Sequence, residues 1–186
     1  MVKTINTKPA MFWNSVNGQT KKSQDANSVF PTNSGTHIQL NGDALVSGGV
    51  RVPGGGMMSA SVFKAENFSA LNPVMLVTGL DVDGQPFEKE ININNVDPRN
   101  ASFIEMFALD GYFAANGKPS STTRAAAAAM IAQGGLDIAK NNAFTQFDFV
   151  TPLLAHLETQ RSVKNWGAVA WLTPIVDTLM NHISQR

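Results

Sequence analysis

The twenty residues from Val74 to Ile93 constrain this chain's fold more than any other stretch. Val74-Met75-Leu76-Val77-Thr78-Gly79-Leu80 is an apolar run following Pro73, and Asp83-Gly84 is a turn dipeptide. From Phe87 the pattern alternates: Phe87, Lys89, Ile91 and Ile93 share one side of an extended chain, Glu88, Glu90 and Asn92 the other. The pattern predicts a β-hairpin with one buried and one wet face. Upstream, Thr36 to Leu40 also alternates and predicts a short strand before an Asn41-Gly42 turn. Gly48-Gly49 and Gly54-Gly55-Gly56 bracket a short extended piece, and Ala60 to Phe68 fits either a strand or a short helix.

Downstream the signals turn helical. Asp97-Pro98 or Asn100 is placed to cap a helix through about Ala115, closed by Asn116-Gly117, with Phe103, Ile104, Met106, Phe107 and Gly111 on its apolar side. Ser120 or Ser121 opens a second helix through five consecutive alanines to Ala132, stopped by Gly134-Gly135. Thr151-Pro152 opens a third, running to about Ser162. A fourth begins near Asn165, kinked or restarted at Thr173-Pro174. The Thr-Pro-apolar segment at 151–157 recurs at 173–179, either as a repeat packed as a helical hairpin or as a common way to start a helix. The fold class is therefore α+β: a small antiparallel sheet around 36–93, then a C-terminal bundle of about four helices.

Composition separates the ends of the chain. Of 186 residues, 14 are Lys or Arg and 14 are Asp or Glu, but residues 1–60 carry +3 and the remainder −3. Eight of the 15 glycines lie in those first 60 residues, while nine of the 11 phenylalanines lie between 63 and 149. Polar, glycine-rich sequence buries too little apolar surface to offset its ordering entropy. Residues 1–35 therefore read as a polar N-terminal tail and 36–186 as a single α+β domain. Within the tail, Met11-Phe12-Trp13 is a compact apolar cluster that either anchors on the chain's own core or hooks a partner or second copy.

With no cysteine, disulfide, thiol and Cys-ligated zinc chemistry are excluded. Net neutrality argues against nucleic acid as a partner. No apolar run reaches the roughly 18 residues that span a membrane. The opening Met-Val-Lys-Thr-Ile-Asn-Thr-Lys leads into no apolar stretch of a signal peptide, so a cytoplasmic location is expected, with signal-less export left open.

Chemistry-bearing motifs are sparse. His37, His156 and His182 are the only imidazoles and form no metal-binding pair on one helical face. No nucleophile elbow or phosphate loop occurs; Arg51 to Gly56 is glycine-rich but lacks the lysine. The most metal-like stretch places Asp81, Asp83 and Glu90 at positions 3, 5 and 12 of a calcium loop with Gly84 at 6, although Gly79 stands at position 1 and the flanks alternate like strands. Glu88 with Glu90, and Glu105 with Asp110, do not form a carboxylate pair for glycoside hydrolysis.

The block from Asn72 to Gly84, with Phe87-Glu88, Ile91 to Ala101, Glu105-Met106 and Ala108-Leu109, resembles a segment of uncharacterised proteins from Gram-positive anaerobic bacteria. The resemblance implies no activity. The expected function is a non-enzymatic binding or self-assembling protein, its partner a protein or a second copy, with Met11, Phe12 and Trp13 as the docking segment and no cofactor. The alternatives are a small hydrolase or transferase with an unrecognised site, or a weak calcium-binding module at the 81–90 hairpin.

Overall fold

The computed structural model describes residues 44–51, 57–133 and 143–186. Four strands form an antiparallel meander in chain order: β1 (Val46–Arg51), β2 (Met57–Lys64), β3 (Val74–Leu80) and β4 (Pro86–Asn92). The predicted hairpin is β3–β4, and the ambiguous segment after Ala60 continues strand β2. The predicted Thr36–Leu40 strand and the Asn41-Gly42 turn lie outside the described residues.

Register explains the pattern. Met75 faces Ile91, Val77 faces Lys89 and Gly79 faces Phe87, and β2 adds Val62 opposite Val77. Val62, Met75 and Val77 are fully buried on this face. Lys89 shares it, but from the last strand its side chain reaches out, with the ammonium 6.0 Å from the Phe144 ring centroid. Gly79 is required by the strand spacing: a Cβ there would lie 1.9 Å from the Ser59 carbonyl oxygen.

Helix α1 (Phe103–Ala115) covers the sheet. It approaches closely through Gly111, where a Cβ would lie 2.4 Å from Val62 Cγ1. Its start corrects the expected cap. Asp97 instead closes a turn, its Oδ1 accepting from the Arg99 N–H at 3.0 Å. The cap is Ser102, in a capping box with Glu105 whose Oε2 accepts the Ser102 N–H at 2.6 Å. A two-residue ladder joins β5 (Ala101–Ser102) to β6 (Gln146–Phe147).

Helices α2 (Thr122–Ala132), α3 (Val150–Ser162) and α4 (Trp166–Ser184) complete the bundle. Ala125, Ala126, Ala127 and Ala129 are buried, so small side chains let α2 sit deep between its neighbours. At α3 the capping oxygen comes from Asp148, whose Oδ1 accepts from Val150 and Thr151 at 2.9 and 3.1 Å. Helix α4 is continuous through Pro174 rather than restarted there. The repeated Thr-Pro thus stands at the start of α3 but inside α4, which removes positional equivalence from the repeat. The described sheet and helices share one hydrophobic core, centred on Met75, Met106, Leu109, Phe113 and Phe149.

Candidate functional site

The hairpin acids are the first candidate. Asp81 Oδ1 accepts the backbone N–H groups of Asp83 at 3.0 Å and Gln85 at 2.9 Å, and Gly84 takes the left-handed conformation (φ 73°) that closes the turn. The strands pair up to Leu80–Pro86, and Glu90 stands opposite Leu76, four residues further along β4. At about 3.4 Å per residue this separates Glu90 from the turn by roughly 14 Å. The calcium-loop assignment of Asp81, Asp83 and Glu90 is therefore corrected: its spacing assumes a loop folding back on itself, whereas residues 86–92 are an extended strand. Among the described residues no three His, Asp or Glu side chains are gathered to hold a metal ion. Met11, Phe12, Trp13 and His37 lie outside the described residues.

The buried titratable groups serve the fold. Asp110, on α1, is 2% exposed. Its Oδ1 accepts the Thr122 N–H at 2.9 Å and the Thr122 hydroxyl, and its Oδ2 accepts the Thr123 N–H at 3.1 Å. It thereby caps the N-terminus of α2 from another helix, since Ser121 at the cap position makes no side-chain cap bond. Burial pushes the Asp110 carboxyl above the usual carboxylate range, against the lowering effect of the Thr122 and Thr123 hydrogen bonds. The Thr123 hydroxyl is buried without a hydrogen-bond partner.

His182 is half-buried on α4, its Nε2 3.2 Å from the Val96 carbonyl oxygen, which can only accept. Its ring meets Phe113 edge-on, with centroids 5.9 Å apart. Burial holds its pKa below the usual value, helped by Arg186 and Lys118 and opposed by the Val96 bond and Asp97. Arg186 fastens the same helix end, with Nε donating to the Asn94 carbonyl at 3.3 Å and Nη1 lying 3.5 Å from Asp97 Oδ2. His156 is half-buried on α3.

A different surface lies on the α3–α4 hairpin. Leu172, Ile175, Val176 and Leu179 turn one side of α4 into the core. The opposite side is also apolar over its first half: Trp166 is 63% exposed and Trp171 46%, and Gly167, Ala170 and Pro174 are exposed as well. Val163, in the connection to α3, is 65% exposed. No ionisable side chain occurs from Asn165 to Val176. The sheet and α1 also border a small apolar hollow of about 10 Å³, lined by Met58, Phe87, Phe103 and Phe107 among others, with room for no more than a water-sized guest.

The observed architecture is thus an α+β protein whose described surface offers an apolar helical face rather than a gathered set of reactive groups. Compared with known proteins, the chain matches no family model, no curated protein and no solved structure. No helix among the described residues is long and apolar enough to cross a membrane.

Proposed function

We propose that this is a non-enzymatic binding or structural protein that acts by self-association, with the apolar Met11-Phe12-Trp13 cluster of the tail as a docking segment. The exposed face of α4 is the observation that carries the reading. Two large indoles held outside the core increase the apolar surface in contact with water, and contiguous exposed apolar patches mark interaction sites. Equal numbers of acidic and basic residues leave no net charge to keep copies apart. The described buried ionisable groups support the same reading, because Asp110 and His182 hold helix ends in place. Sedimentation velocity of the full chain over a concentration series tests it. The mean mass is expected to rise above 19.9 kDa, and Met11, Phe12 and Trp13 changed together to Ala are expected to reduce that rise. A mass fixed at the monomer value at every concentration would rule out self-association.

A further inference from the structure

We infer that the last turn of α4 is an acid-released latch, tied by His182 and Arg186 to the corner where the sheet passes into α1. Helix α4 is held in two ways along its length. Leu172, Ile175, Val176 and Leu179 bury it in the core, and no residue after Leu179 is buried. The helix nevertheless runs on to Ser184. Its last turn depends on Met180 and Ile183, which are partly buried against the core, and on polar ties to residues 94–97. A segment without a fully buried side chain can open by itself while the rest of its helix stays docked.

Three ties converge on the corner. The Val96 carbonyl can only accept, so His182 meets it with a proton on Nε2, at 3.2 Å. Arg186 supplies the other two, from Nε to the Asn94 carbonyl at 3.3 Å and from Nη1 toward Asp97 Oδ2 at 3.5 Å. The imidazole also packs edge-on with Phe113 of α1. Val96 and Phe113 are each 1% exposed, so lifting the turn bares apolar side chains of the corner to water.

A second proton on His182 leaves the Val96 bond in place and changes only the charge. The charged groups that face the ring are Arg186 on its own helix, Lys118 after α1 and Asp97 in the corner. Asp97 is already engaged by Arg186. An imidazolium therefore becomes the third positive charge beside one carboxylate, at a half-buried place where hydration of the ion is reduced. Lifting the turn returns the ring to water and takes it away from the Lys118 ammonium. Burial, with Arg186 and Lys118, accordingly holds the pKa of the docked ring below the ordinary histidine value, against the Val96 bond and Asp97. The open turn, with its ordinary value, takes up the proton more readily. Docking is thus complete above the ordinary histidine value and weakens as pH falls below it.

Amide hydrogen exchange of the full chain tests this, with rates corrected for their intrinsic pH dependence. Between about pH 7.5 and about pH 5, the amides of Asn181 to Ser184 are expected to lose protection several-fold, while those of Ile175 to Leu179 keep theirs. His182→Gln, whose side-chain amide can still donate to Val96, is expected to keep the protection of the last turn level across that range. Lys118→Gln touches none of the three ties and is expected to move the loss to lower pH by a few tenths of a unit. Protection in the wild type that does not change with pH would overturn the latch, and so would an equal loss in His182→Gln. An equal loss at Ile175 to Leu179 would also overturn it, because the whole helix would then be opening. Should His182→Gln leave the turn unprotected at every pH, Lys118→Gln decides: a loss at the wild-type pH would overturn the proposal.

Discussion

The α1–α2 junction and the α3–α4 hairpin treat the same kinds of residue in opposite ways. At the junction a carboxylate is buried and its accepting oxygens are met by Thr122 and Thr123. The glycine next to it, Gly111, is there because β2 leaves no room for a side chain. At the hairpin two indoles point outward, and Gly167 has open space around it. The first region answers to interior packing, where one extra methyl group is felt. The second obeys no internal requirement that the described residues reveal. Polar burial and apolar exposure both cost free energy. At Asp110 the compensation is visible inside the chain, and at Trp166 and Trp171 the described residues supply none.

Substitutions can break or sharpen this contrast. The largest effect is expected at Gly79→Ala, where the new Cβ would meet a backbone oxygen at 1.9 Å and β2 would have to move; a loss of about 3 kcal/mol in denaturant unfolding is expected. Asp110→Ala should follow, at about 2–3 kcal/mol, because it leaves the first buried N–H groups of α2 without an acceptor. An unchanged unfolding midpoint for Asp110→Ala would break the comparison, since the cap would then carry no stability. Thr123→Val should change stability by less than about 1 kcal/mol, because the buried hydroxyl has no well-aligned hydrogen-bond partner yet still faces the Asp110 carboxyl. Gly167→Ala should raise monomer stability by less than about 1 kcal/mol, measured at low concentration where association is absent. A loss instead would show that Gly167 answers to the fold after all.

Acidity separates two of the buried groups. The Asp110 pKa is raised in the folded protein, so its favourable contribution is present below the unfolded carboxylate value and is lost as pH rises through the folded one. The His182 pKa is lowered, so its contribution is present above the ordinary histidine value and is lost as pH falls through the folded one. Unfolding midpoints between pH 7 and pH 5 should therefore decline less in His182→Gln than in wild type. Parallel curves would remove the role given to its burial beside Arg186 and Lys118.

Local signals were legible in the sequence and long-range ones were not. The alternation from Phe87 to Ile93 and the Asn116-Gly117 stop both became structure, because strand faces and helix ends are set by neighbours a few residues away. The start of α1 was legible as Ser102-x-x-Glu105, yet Asp97 and Asn100 offered competing oxygens nearer the hairpin. Asp110 capping α2 was beyond reach, because its partners lie 12 and 13 residues away on another helix. The β5–β6 pairing joins residues about 45 apart with only two residues on each side, too short to leave a periodic trace. The calcium-loop spacing misled for a related reason: it counts residues without asking whether the chain between them is coiled or extended.

The cap that Asp110 supplies also ties the opening of one helix to another. In an ordinary helix the first-turn amides fray independently and exchange their hydrogens with solvent quickly. Here the amides of Thr122 and Thr123 are held by a side chain of α1. They can be released only when Asp110 withdraws or α1 itself lifts from the sheet. Helices α1 and α2 are thus expected to open as one cooperative unit in native-state hydrogen exchange, with the protection of these two amides reporting the docking of α1 rather than the local stability of α2.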